Sequence, residues 1–92
     1  MEMREVVPLA KQYLTELFAA EKIQDLGLEE IELDSNDHVW AITIGFSRPW
    51  DVPRNPLAAI AADAYTRRIY KVVRIADQTR ELVSIKNREV AA

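Results

Sequence analysis

The chain contains no cysteine, which excludes disulfides, thiolate metal sites and a cysteine nucleophile. Its single histidine, His38, is the only imidazole available for proton transfer. With only Gly27 and Gly45 there is no glycine-rich loop to cradle a phosphate. No apolar run approaches the roughly 18 residues that a membrane span needs. The start, Met-Glu-Met-Arg-Glu, lacks the basic and apolar segments of a signal peptide. These absences lead to the expectation of a cytoplasmic chain with no cofactor and no membrane anchor.

What is present suffices for one core. Ninety-two residues, 49% of them apolar, predict a single α+β domain over 1–92. The net charge of −3 is unevenly spread. Residues 1–47 carry three Arg or Lys against ten carboxylates, a balance of −7, whereas residues 48–92 carry nine against five, a balance of +4. Either acidic and basic strands adjoin in one sheet and pair across it, or two oppositely charged surfaces steer a partner. The first is the more ordinary device and is the expectation here.

The stretch from His38 to Phe46 organises the rest. Side chains alternate along a strand, so Trp40, Ile42, Ile44 and Phe46 share one large apolar face. Val39, Ala41, Thr43 and Gly45 form a second, leaner face. Residues 3 to about 23 read as an amphipathic helix through Val7, Ala10, Leu14, Leu17 and Phe18. Pro8 is expected near the helix start and Gly27 at its end. Ile31 and Leu33 alternate with Glu30 and Glu32, which marks a half-buried strand with its carboxylates in water. Ser35-Asn36-Asp37 is turn chemistry and makes a hairpin with the central strand.

Three prolines between Pro49 and Pro56 break the pattern. Asn55-Pro56 then signals the start of a short helix through Ala62. From Tyr65 the period is two, giving a third strand with Ile69, Val73 and Ile75 on one side and Arg68, Tyr70, Val72 and Arg74 on the other. Asp77 to Arg80 turns the chain into a fourth strand, with Val83 and Ile85 on the core side. The expected fold is an N-terminal helix packed on a four-stranded antiparallel sheet, with a short helix between strands 2 and 3. Its core is Leu14, Leu17, Phe18, Ile31, Leu33, Trp40, Ile42, Ile44, Ile69, Val73, Val83 and Ile85.

The run from Tyr70 to Ile85 resembles the closing hairpin of PepSY and other cystatin-like small bacterial domains: a Tyr-x-Val strand, an Asp-x-x-Gly-type turn and a Val/Leu-x-x-Ile strand. Arg80 stands where that turn normally has glycine. The resemblance implies a non-catalytic binding or regulatory module; a related layout occurs in small immunity proteins. None of the matching positions is a catalytic motif.

Asp34, Asp37 and His38 are the closest grouping of metal-ligand types, but they flank a turn, where Asp serves backbone hydrogen bonds. Ser35, Ser47 and Ser84 lie in no nucleophile elbow, so no enzyme is expected. Arg67, Arg68, Lys71 and Arg74, with Arg48 and Arg54, interleave with Tyr65 and Tyr70 in the manner of nucleic-acid surfaces. Strand alternation splits these charges between two faces, and a pI near 5.1 opposes a nucleic-acid footprint. Trp50 sits in the proline loop either as a lid on the core or, with Arg48, as an interface anchor.

One helix covers one side of a sheet. The lean side (Val39, Ala41, Thr43, Tyr70, Val72, with Leu82 and Ser84) is left to water, the short helix or another protein. The expected function is therefore a protein-protein interaction module, an accessory or immunity-type protein or a homodimer. Its partner-binding residues are Arg48, Trp50, Arg54, Arg68, Tyr70, Val72 and Arg74. Nucleic-acid binding through strand 65–74 is the alternative.

Overall fold

A computed structural model of the chain describes residues 1–49 and 68–88. Helix α1 (Met3–Leu17) is followed by a 3-10 turn (Ala19–Glu21). Strands β1 (Gln24–Asp34), β2 (Val39–Ser47), β3 (Ile69–Ala76) and β4 (Leu82–Asn87) then form an antiparallel sheet in the order β1-β2-β3-β4. The short helix expected at Pro56–Ala62, and the start of the third strand at Tyr65, lie outside the described residues.

Helix α1 begins earlier than Pro8 suggests. The Glu5 carboxylate accepts the Glu2 N–H at 3.4 Å, satisfying a donor at the helix entrance. Pro8 then lies inside the helix on its exposed side, where the Arg4 carbonyl that loses its donor is free to face water. The helix also ends earlier than expected. Lys22, not Gly27, takes the left-handed conformation (φ 51°) that turns the chain, and Gly27 belongs to β1.

Buried Val6, Ala10 and Leu14 form the row that α1 presents to the sheet. Beneath them lie Trp40, Ile42, Ile44 and Phe46 of β2 with Val73 and Ile75 of β3, all buried. The central strand therefore faces the helix as its periodicity predicts. The path of the helix follows from its two ends. Near its start, the Met1 amine reaches Asp77 at 3.2 Å and Arg80 donates to the Glu5 carboxylate at 3.4 Å. Beyond its finish, Phe18 packs on Phe46, with ring centroids 6.1 Å apart. Helix α1 thus runs obliquely from the β3–β4 turn toward the Phe46 end of β2, touching β1, β2 and β3 on the way. A helix about 10 Å wide covers roughly two strands spaced about 4.8 Å apart.

Three residues expected in the core are exposed. Leu33 points to the helix side opposite Trp40, but it lies at the end of β1 where α1 begins over the β3–β4 turn, and it is 43% exposed. Leu17, at the last turn of α1, is 61% exposed because Phe18 takes the final core position. Val83 is 53% exposed for another reason. Arg74 pairs with Ser84 but Ile75 pairs with Leu82, so Val83 is the extra residue of a bulge. Leu82, expected on the lean face, consequently packs against the core.

Two further register shifts interrupt β1, between Gln24 and Gly27 and between Leu28 and Glu30. Asp25, at the first, has a φ of 57°.

Candidate functional site

The sheet face away from α1, called here the far face, is built row by row from the strand register. One row runs Glu32, Ala41, Arg74, Ser84 and the next runs Glu30, Thr43, Val72, Lys86. Long side chains on the outer strands and short ones on β2 make a trough. Its volume is about 400 Å³, with Ala41, Thr43 and Val72 as floor. Glu30 and Glu32 form one wall; Arg74, Lys86 and Arg88 form the other.

At one end the face is closed by Tyr70. A Cβ built on Gly45 would lie 2.9 Å from the Tyr70 ring and 3.1 Å from the Glu29 carboxylate, so the ring rests directly on the Gly45 backbone. Only glycine leaves that space. Arg88 covers the other side of the ring, its guanidinium carbon 4.2 Å from the centroid, and its N–H donates to the Tyr70 carbonyl at 3.2 Å. The bulge at Leu28/Glu30 is what brings Glu29 to this face beside Glu30.

The charges do not neutralise one another inside the chain. Strands β1 and β4 are the opposite edges of the sheet, with two strands between their backbones. Among the described residues no ion pair joins Glu30 or Glu32 to Arg74, Lys86 or Arg88. The expectation of adjoining acidic and basic strands is thereby corrected by the strand order: β2 separates acidic β1 from the cations of β3 and β4. Arg74 carries the sharpest imbalance, because its Nε is buried and has no acceptor. A buried donor left unmet costs about 1–3 kcal/mol.

The residues expected to bind a partner are brought together in part. Tyr70, Val72 and Arg74 lie on the far face in adjoining rows. Arg68 is beyond them and serves the fold: its Nη2 donates to the Asp25 carbonyl at 2.9 Å, across β2. Arg48 is 3.6 Å from the Glu21 carboxylate at the 3-10 turn. Trp50 and Arg54 lie outside the described residues, as do Tyr65 and Arg67. Lys71 points to the helix side, 5.9 Å from the Phe18 ring centroid. Lys86, Arg88 and Glu29 are trough residues that the sequence reading did not single out. The alternation Ser84, Lys86, Arg88 was a usable signal for two of them; Glu29 depends on a bulge that leaves none.

Elsewhere, Asp34 accepts the N–H groups of Asn36 and Asp37 at 3.0 and 3.2 Å, which is turn chemistry. Among the described residues no group of three or more His, Asp or Glu side chains is placed to hold a metal ion. No helix among them is long and apolar enough to cross a membrane. Asp77, at the far end of β3 from Tyr70, accepts the Trp40 indole N–H at 2.8 Å. That hydrogen bond first, and then the Met1 amine, hold its carboxyl below the ordinary value of 3.8. No protein-family model matches the chain, and no curated protein or solved structure matches it.

Proposed function

We propose that this chain is a non-catalytic interaction module that receives a protein partner on the far face of its sheet. The observation that carries the reading is the trough itself: carboxylates on one wall, cations on the other, short side chains between, and no ion pair across it. Opposed charges held apart over an apolar floor suit a partner that bears both signs in the reverse order. A nucleic acid is disfavoured because its phosphates would meet Glu30 and Glu32 along the whole of the opposite wall. Tyr70, Val72 and Arg74 act as contact residues, with Lys86 and Arg88 beside them.

A photo-crosslinking side chain placed at Lys86, and separately at Gln12 on the exposed side of α1, tests this in the native cell extract. Adducts from position 86 with few from position 12 are the expected result. Equal yields from the two positions, or none from position 86, would remove the proposal.

A further inference from the structure

Resting on that reading, we infer that the partner is a second copy of this chain, stacked far face to far face about a two-fold axis parallel to the strands. The distribution of charge over the face is self-complementary under that operation and under no other closed one. Glu29, Glu30 and Glu32 lie on the β1 side; Arg74, Lys86 and Arg88 lie on the β3–β4 side. A two-fold along the strands lays β1 of one protomer over β4 of the other, and β2 over β3. It leaves every position at its own height along the strands.

Register therefore dictates the contacts. Glu30 and Lys86 occupy one row, so each Glu30 meets the partner's Lys86. Glu29 lies against Gly45 in the row of Tyr70 and Arg88, so it meets the partner's Arg88. Glu32 stands over the partner's Ser84, one strand from its Arg74, and adds a third acid-on-base contact with that guanidinium. Short Ala41 of β2 also opposes long Arg74 of the partner's β3.

The competing arrangements fail on charge or on closure. A two-fold perpendicular to the strands stacks β1 on β1 and β4 on β4, like charge on like. Pairing the β1 edge of one copy with the β4 edge of the next is head-to-tail and generates an open filament, and the two bulges of β1 break the ladder it needs. The chosen stack also suits sheet geometry, since aligned sheets cross at about 30° and the axis bisects that angle. Strands about 4.8 Å apart and residues about 3.4 Å apart make each face roughly 19 by 27 Å. That is about 500 Å² per protomer and about 1,000 Å² in total, the lower limit of specific interfaces. An interface of that size held by paired charges weakens with salt.

Sedimentation equilibrium on the full chain tests this with two variants, Glu29→Lys with Glu30→Lys, and Lys86→Glu with Arg88→Glu, each checked for fold by circular dichroism. The wild type at low salt should distribute between 10.5 kDa and twice that mass. Each variant alone should dimerise at least about 100-fold more weakly, because both of its symmetry-related contacts become repulsive. An equimolar mixture of the two should recover dimer to within about tenfold of the wild type, since every contact in the mixed dimer is again acid on base. A wild type that stays monomeric to millimolar concentration overturns the inference, as do association beyond the dimer and folded variants that fail to rescue each other. A monomeric wild type that still crosslinks through position 86 to a different protein overturns self-association alone. Loss of that crosslink as well overturns the docking face.

Discussion

Val72→Ala and Val73→Ala remove the same two methyl groups from adjacent positions of β3, one on each side of the sheet. Because residue type and strand are shared, the difference between the variants reports the packing on the two faces. Val73 is fully buried beneath α1. Removing about two methylene equivalents there forfeits about 1.6 kcal/mol of transfer energy. A residual void of about 50 Å³ adds about 1.2 kcal/mol, for a loss of about 3 kcal/mol. Val72 is half-buried in the floor of the trough, and the space its methyls leave opens to solvent. Its loss should be about 1 kcal/mol. With a urea dependence of about 1–1.5 kcal/mol per molar for a domain of this size, the two midpoints should differ by about 1.5 M. Urea titration at sub-micromolar protein, followed by circular dichroism, keeps self-association out of the comparison. Equal midpoints, or a lower one for Val72→Ala, would refute the assignment of the two faces.

Arg80 has a φ of 64° in the turn between β3 and β4, so Arg80→Gly should raise thermal stability by about 0.5–1 kcal/mol despite losing a solvent-exposed contact with Glu5 at 3.4 Å. A fall in the melting temperature would mean that the Glu5 contact outweighs the backbone strain. Asp77 has a depressed carboxyl pKa, so the stability it contributes is fully present above its ordinary value of 3.8 and is lost as pH falls through its lower folded value. Urea midpoints for wild type and Asp77→Asn should therefore be well separated at pH 6 and should draw together as pH falls below 3.8. A constant gap across that range would show that the charge of Asp77 is not what matters.

The alternation in β2 made the core side of the sheet legible, because four large apolar residues in strict phase leave no other side for the helix. Hairpin chemistry at Ser35–Asp37 and Asp77–Arg80 likewise announced antiparallel neighbours and hence the strand order. What escaped was every feature that depends on a single inserted residue. The bulge at Val83 reverses Leu82 and Val83, and the bulge between Leu28 and Glu30 adds Glu29 to the far face. Periodicity carries no mark of an insertion until the pairing is known. Exposure of Leu33 escaped for a different reason: its phase is right, but the direction of α1 decides which strands it covers. Tyr70, Val72 and Arg74 were readable as one face from alternation alone. Their opposition to Glu30 and Glu32 required knowing that β1 and β3 flank β2 on opposite sides.

Methyl NMR on dilution, with alanine, threonine, valine and isoleucine methyls labelled, addresses the docking face most directly. On going from about 1 mM to about 10 µM protein, the methyls of Ala41, Thr43 and Val72 should shift together along one binding curve, while those of Ile42 and Val73 stay fixed. Shifts confined to the methyls of α1, or no shift at any methyl over that range, would contradict the far face as the surface through which this chain meets its own copy.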